Sequence, residues 1–285
     1  MHLSSEKIAQ AFKNACLAEL QAIKPGNVHI FADGHGMVVQ DFIKSAEAAA
    51  QVFSLPNLTV GELILKAVQA TQEAVSCNTN LGIILLCAII AKANSAESAA
   101  DLKNNIAKTL SLLNQSDASL AYSAIRLANP AGLGQVDQFD VHQPPALNNN
   151  VTLLLAMQAA PAYDLIAQQY ANGFTDVLQV GLVSYQNAIT KWQNSSWAVT
   201  YCYLIFLATF ADSHIVRKHG INHANQIQRE AKQHLQAIWV LDNPKLYLRA
   251  LLAWDADLKL RKINPGTSAD LTVATLMAIE LMSKS

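Results

Sequence analysis

The chain has 285 residues, of which 52% are apolar and 14% charged, with 20 basic and 21 acidic residues and a formal net charge of −1. So balanced a charge excludes a field that would draw the chain to nucleic acid or anionic lipid. The apolar excess calls for a bulky interior in which some helices are buried on several sides. No compositional shift marks a linker, so residues 1–285 are expected to form one all-α domain, a multi-helix bundle with a polar pocket built from inter-helix loops.

In chain order, Ser4 or Ser5 caps a first helix running to about Ala22, with Ile8, Phe12, Ala15, Leu17 and Leu20 as its apolar stripe. Lys24-Pro25-Gly26 stops it, a loop runs from Asn27 to Met37, and a helix follows near Val38 to Phe53. Thr59 and Glu62 form a capping box that opens a helix to about Ser76. The apolar run Leu81 to Ala91 comes next, and further helices are expected near 97–113, 116–128, 148–170, 174–191, 196–219, 222–239, 244–260 and 267–283. No run alternates apolar and polar residues between tight turns, so strands are not expected. The longest stretch without helical character, Pro130 to Pro145, is expected to be a lid or binding loop.

A membrane span needs roughly 20 apolar residues in a row. Leu81 to Ala91 stops at Lys92, and Trp197 to Ala211 is interrupted by Thr200 and Thr209, so both suit buried core helices. The N-terminal residues lack a basic region followed by an apolar core, which predicts no signal peptide. Cys16, Cys77, Cys87 and Cys202 form no Cys-x-x-Cys pair and are expected to be free buried thiols in a reducing cytoplasm.

Charge is scarce, yet polar residues collect where helices start and stop. The first cluster is Lys24-Pro25-Gly26-Asn27-Val28-His29, followed by His35 and Asp41. The second is Asn78-Thr79-Asn80-Leu81-Gly82, the third runs from Asp212 through His214, Arg217 and Lys218 to Gly220, and the fourth from Asn264 through Gly266, Thr267 and Ser268 to Asp270. Each has a structural explanation as a cap or turn; Thr267 with Asp270, for instance, reads as a capping box. Together they combine glycines and free helix N-termini with cations and carboxylates, the groups that a polyphosphate and its Mg²⁺ require. No Walker-type or dinucleotide-binding glycine motif is present, so a nucleotide site here must be helical in kind.

These stretches resemble the motifs of the triphosphoribosyl-dephospho-CoA synthase family. That family carries Pro-Lys-Pro-Gly-x-Val-Asp, Gly-Val-Asn-Thr-His-Lys-Gly, Asp-Thr-Asn-x-x-x-Arg-x-Gly and Ser-Pro-Gly-Gly-Ser-Ala-Asp-Leu in the same order. The corresponding stretches are Lys24 to His29, Cys77 to Gly82, Asp212-Ser213-His214 with Arg217, and Asn264 to Leu271. Three departures stand out. Asn80-Leu81 replaces His-Lys, His29 replaces an Asp, and Gly132-Leu133-Gly134 through Asp140-Val141 replaces the family's Gly-x-Arg-Gly-Glu-Ala. The pattern is similar to that of a divergent branch found in methylotrophs and archaea, some members of which lie among genes for methanopterin or methylofuran cofactors.

The resemblance implies transfer of the triphosphoribosyl group of ATP to a hydroxyl of dephospho-CoA or a related acceptor, releasing adenine. It implies Asp212 and Asp270 as Mg²⁺ ligands or base, Asp41 as a weaker metal ligand, and His29, His35 and His214 as proton donors. Lys24, Arg217 and Lys218 would hold phosphates, aided by backbone N–H groups at Gly26 and Gly266. Asn78 and Thr79 would position ribose or phosphate, with Pro25, Asn27, Ser45, Asn80, Gly82, Thr267 and Ser268 as further binding residues. Two alternatives remain: an enzyme acting on a phosphorylated precursor of a pterin or furan cofactor, and a non-catalytic nucleotide-binding protein. A homodimer is left open.

Overall fold

The computed structural model describes residues 3–93, 98–130, 151–160 and 162–283. Among them the chain forms fourteen α-helices and no strand beyond isolated bridges. The first is α1 (Ser5–Gln21), capped by Ser4, whose hydroxyl accepts from the Lys7 N–H. It is followed by α2 (Val39–Phe53) and by α3 (Val60–Val75), opened by the expected Thr59–Glu62 capping box. Next come α4 (Leu81–Lys92), α5 (Ala99–Ser111) and α6 (Gln115–Ala128). Between α1 and α2, two bridges, His29 with Ala32 and Gly34 with Met37, fold the expected loop into a pair of tight turns.

Beyond residue 150 the expected helices are more broken than their periodicity suggests. The stretch 148–170 yields α7 (Leu153–Gln158) and α8 (Leu165–Asn172), the latter capped by the Asp164 carboxylate. The stretch 174–191 opens as a π-helical turn, Asp176–Gly181, before α9 (Leu182–Trp192). There Gly181 lies so close to α14 that a Cβ would overlap the Thr275 hydroxyl. The stretch 196–219 splits into α10 (Ser195–Thr209) and α11 (Ser213–His219), bent by 51°. Phe210 is extended at the break, and Asp212 caps the new helix.

The chain continues through α12 (Ile221–Trp239), a 3₁₀ turn at Pro244–Tyr247 and α13 (Leu248–Leu260) to α14 (Gly266–Ser283). Because α14 starts at Gly266, Thr267 and Asp270 lie inside it, and the expected capping box does not form. The stretch 130–145 falls, apart from Pro130, outside the described residues.

Two apolar clusters fill the interior. The larger joins α1, α2, α3, α4 and α6, and the smaller joins α9 to α13. The last helix, α14, connects them: Leu271, Val273 and Met277 belong to the first and Ala269 to the second. Helices α4 and α10 are apolar around nearly their whole circumference and are buried accordingly. Among the described residues no single helix is long and apolar enough to cross a membrane; the bent pair α10–α11 passes that test only jointly.

Helices α3 and α6 approach at Gly61, whose N–H donates to Asp117 Oδ1 at 2.8 Å. A Cβ there would fall 2.6 Å from the Asp117 Cα, a backbone atom that cannot step aside. Gly61→Ala should therefore destabilise the fold by about 1–3 kcal/mol in urea unfolding. A change below about 0.5 kcal/mol, ordinary for a surface site, would contradict this packing.

Candidate active site

Three helix N-termini and one loop surround a cavity of about 720 Å³. Its polar side is formed by Asn78 to Gly82 before and within α4, by His214, Arg217 and Lys218 of α11, and by Gly266 and Asp270 of α14. Asn27 and His35 of the α1–α2 loop complete that side. Helices α6, α7 and α8 add a largely apolar part of the lining that includes Tyr122, Ile125, Met157 and Ile166.

Of the residues expected at a site, eleven line this cavity: Asn27, His35, Asn78, Thr79, Asn80, Gly82, His214, Arg217, Lys218, Gly266 and Asp270. Lys24, Pro25, Gly26, His29, Asp41, Ser45, Asp212, Thr267 and Ser268 lie off it. Several of these build its walls. The buried Asp212 carboxylate accepts from His214 N–H at 2.9 Å and Ile215 N–H at 3.2 Å through Oδ1. Through Oδ2 it accepts from the Ser268 N–H at 2.7 Å and the Ser268 hydroxyl at 2.8 Å. Burial holds its pKa above the ordinary carboxylate value, while the Ser268 and Ile215 donors pull it back. Four accepted hydrogen bonds make Asp212 a cap for two helices rather than an open metal ligand.

The backbone donors expected to hold phosphate are also engaged. The Gly26 N–H donates to Asp255 Oδ1 at 2.8 Å, and the Gly266 N–H to the Asn264 carbonyl at 2.9 Å. The Tyr203 hydroxyl donates to the Pro25 carbonyl at 2.7 Å. His29 is fully buried with Nε2 3.4 Å from Asp255 Oδ2, away from the cavity. Asp41 accepts the Val38 N–H at the start of α2. Ser45 reaches the site indirectly, accepting from the cavity-lining Thr79 hydroxyl at 2.6 Å. Lys24 is fully buried and donates to Glu19 and, at 3.0 Å, to Asn27 Oδ1.

Within the cavity, Asp270 lies against the first turn of α4, where a Cβ on Gly82 would overlap its Oδ2. Only glycine admits that approach. Burial, reinforced by the Asp212 and Glu19 carboxylates, raises the Asp270 pKa well above the usual range. Arg217 Nη1 lies 3.7 Å from Asp164 Oδ2. His214 packs against Gly266, with Nδ1 2.8 Å from where a Cβ would stand.

The structure adds lining residues that sequence reasoning did not select: Glu19, Asp164, Tyr122 and Tyr163. Glu19 had a legible signal. It continues the buried α1 stripe of Phe12 and Ala15, so a carboxylate stands where an apolar residue belongs. Asp164 had only the ordinary signature of a cap.

Burial pushes the His214 pKa down to about 4, with Arg217, Lys218, His35 and His219 opposing a further positive charge. The unfolded chain would take up this proton first, near 6.5, so this contribution to stability is intact above pH 6.5 and fades toward pH 4. NMR titration should find the His214 ring neutral from pH 8 down to about pH 5. A midpoint near the free-histidine value would show that this end of the cavity is neither buried nor cationic.

The family model described as ATP:dephospho-CoA triphosphoribosyl transferase matches residues 5–285. The "Probable 2-(5''-triphosphoribosyl)-3'-dephosphocoenzyme-A synthase" of Vibrio cholerae serotype O1 is 32% identical over 112 residues, 39% of this chain and 35% of that relative. The 2-(5''-triphosphoribosyl)-3'-dephosphocoenzyme-A synthase of Haemophilus ducreyi is likewise 32% identical over 112 residues, covering 32% of its length. The matched segment thus spans about a third of these curated relatives. A crystal structure from Archaeoglobus fulgidus, provisionally named a triphosphoribosyl-dephospho-CoA synthase, superposes with a TM-score of 0.64. It covers 84% of this chain and 96% of the other at 22% identity, a likeness of fold. The whole-chain match, falling on the four motifs that meet around the cavity, makes this chain a member of the ATP:dephospho-CoA triphosphoribosyl transferase family of enzymes.

Proposed function

We propose that the chain transfers the triphosphoribosyl group of ATP to a hydroxyl of dephospho-CoA or a related acceptor, releasing adenine in the cytoplasm. The observation that carries this reading is that, of five buried polar side-chain atoms without partners among the described residues, three cluster here: Asn80 Nδ2, His214 Nε2 and Arg217 Nε. All three belong to cavity-lining residues. A buried donor left unpaired costs about 1–3 kcal/mol, so a protein keeps three of them together where a ligand supplies acceptors. A triphosphate offers such a row of oxygens, and Arg217 and Lys218 match its charge. Asn78 and Thr79 stand beside them to orient ribose or phosphate.

In the transfer, the bond from ribose C1′ to adenine N9 breaks and a bond from C1′ to the acceptor oxygen forms. Positive charge develops at C1′, and the hydroxyl proton must leave. Asp270 is the carboxylate placed for both demands: ionised, it stabilises the charge or takes the proton. Burial raises its pKa, which makes the ionised carboxylate a stronger proton acceptor than an exposed one.

Among the described residues no group of three or more His, Cys, Asp or Glu is assembled that could hold a metal ion. Magnesium commonly takes one or two protein carboxylates plus substrate phosphates. An ion arriving with the triphosphate would be held by phosphate oxygens and water, which leaves Asp270 free to act on the acceptor. Such an ion would neutralise phosphate charge.

Incubation with ATP, Mg²⁺ and dephospho-CoA should release free adenine and increase the acceptor mass by a triphosphoribosyl group. Release of ADP, AMP or phosphate would contradict transfer. Tight ATP binding without any product would mark a nucleotide-binding protein, the reading favoured by Asn80-Leu81 standing where the family carries His-Lys. Arg217→Ala should raise the ATP KM at least about tenfold, the effect of losing one charge-assisted contact. An unchanged KM would remove Arg217 from the phosphate site.

A further inference from the structure

The reaction proposed above gives Asp270 a proton to accept but leaves the departing adenine without a donor. Another carboxylate on the cavity wall, Glu19, is buried in an ion pair with Lys24. It lies in the last turn of α1, at the end of that helix's buried stripe, and is 4% exposed. Its partner is Lys24, which is 0% exposed and is held against Glu19 by Asn27. Asn27 Nδ2 in turn donates to Asn264 Oδ1 at 2.8 Å. The pair therefore sits in a fixed cradle, with Glu19, Asn27 and Asn264 all on the cavity wall and Lys24 behind them.

A buried ion pair is poor value for stability, because desolvating two charges offsets most of their attraction. Burial raises the Glu19 pKa and lowers that of Lys24, so the two groups approach each other in proton affinity. A proton shared in this way can be given up at modest cost. Kept on the cavity wall near Asp270, the pair has the placement of the second member of an acid–base couple.

We propose that Glu19, charged from the Lys24 ammonium behind it, is the catalytic acid that protonates adenine as it departs. This rests on the ribosyl-transfer reading. In the balanced step, the C1′–N9 bond breaks with its electron pair passing to the base, which takes the proton from the Glu19 carboxyl. The acceptor oxygen bonds to C1′ and its proton passes to ionised Asp270; after the products leave, that proton returns through solvent to the Glu19–Lys24 pair, whose single shared proton adenine has taken. Lys24 acts through Glu19 and is a positioning residue.

The test compares two donors in single-turnover assays with wild type, Glu19→Gln, Glu19→Asp and Lys24→Gln. One donor is ATP, and the other is 6-chloropurine riboside 5′-triphosphate, whose more acidic base departs without full protonation. Glu19→Gln should lose at least about 100-fold in rate with ATP but under about fivefold with the chloropurine donor, with Glu19→Asp recovering part of the ATP rate. Calorimetry with inorganic tripolyphosphate should give the same affinity for every variant, which separates loss of the acid from collapse of the cavity. Equal losses with both donors, or no loss with ATP, would overturn the assignment while leaving ribosyl transfer intact. Failure of the wild type to release the free base, adenine from ATP or 6-chloropurine from its analogue, would overturn both readings.

Discussion

The site depends on one buried carboxylate to which two helices point their N-termini. Each helix begins with backbone N–H groups that lack intrahelical partners, and its dipole favours negative charge there. Asp212 answers both needs at once, capping α11 through Oδ1 and binding the first turn of α14 through Ser268. Asp212 and Ser268 lie 56 residues apart in sequence. Without that tie, His214 and Arg217 on one helix and Gly266 and Asp270 on the other would have no shared reference. Asp212 is thus structural in position yet decides where the reactive groups stand.

A second anchor serves the opposite rim. The α1–α2 loop carries Asn27 and His35 into the cavity, and α13 holds it there. Asp255 accepts the Gly26 N–H and a hydrogen bond from Lys259, whose ammonium also donates to the Ala32 carbonyl. Gly26 adopts φ +84°, and a Cβ would press on the Pro265 ring at 2.9 Å, so the first motif packs directly against the fourth. Contact between these distant stretches explains why the polar clusters recur together: each completes a wall that another begins.

Much of the architecture was legible in sequence because apolar periodicity and capping residues reflect local physics. The Ser4 cap, the Thr59–Glu62 box and the all-apolar α4 follow their signals directly. Helix breaks were less legible, since a bend at Phe210 or a π-helical turn at Asp176 is imposed by packing against other helices. Within the site, scarcity of charge picked out the right neighbourhoods but not the direction in which each group points. Asp212 and Asp270 look alike as acidic residues beside glycine or serine, yet one is saturated by donors and the other lines the cavity. Lys24 looks like a phosphate ligand until its burial behind Glu19 is visible. That distinction arises from how the helices pack, which ties Asp212 to Ser268 across 56 residues and encloses Lys24 fully, and local pattern does not encode it.

Asp212 joins the helices that wall the cavity without lining it. Calorimetric titration of ATP with Mg²⁺ into Asp212→Asn, beside the wild type, tests that role directly. The account predicts a variant that keeps its helical circular dichroism while losing ATP affinity at least about tenfold, because one neutral amide cannot cap two helix ends as a carboxylate does. A folded variant that binds ATP as tightly as the wild type would contradict it.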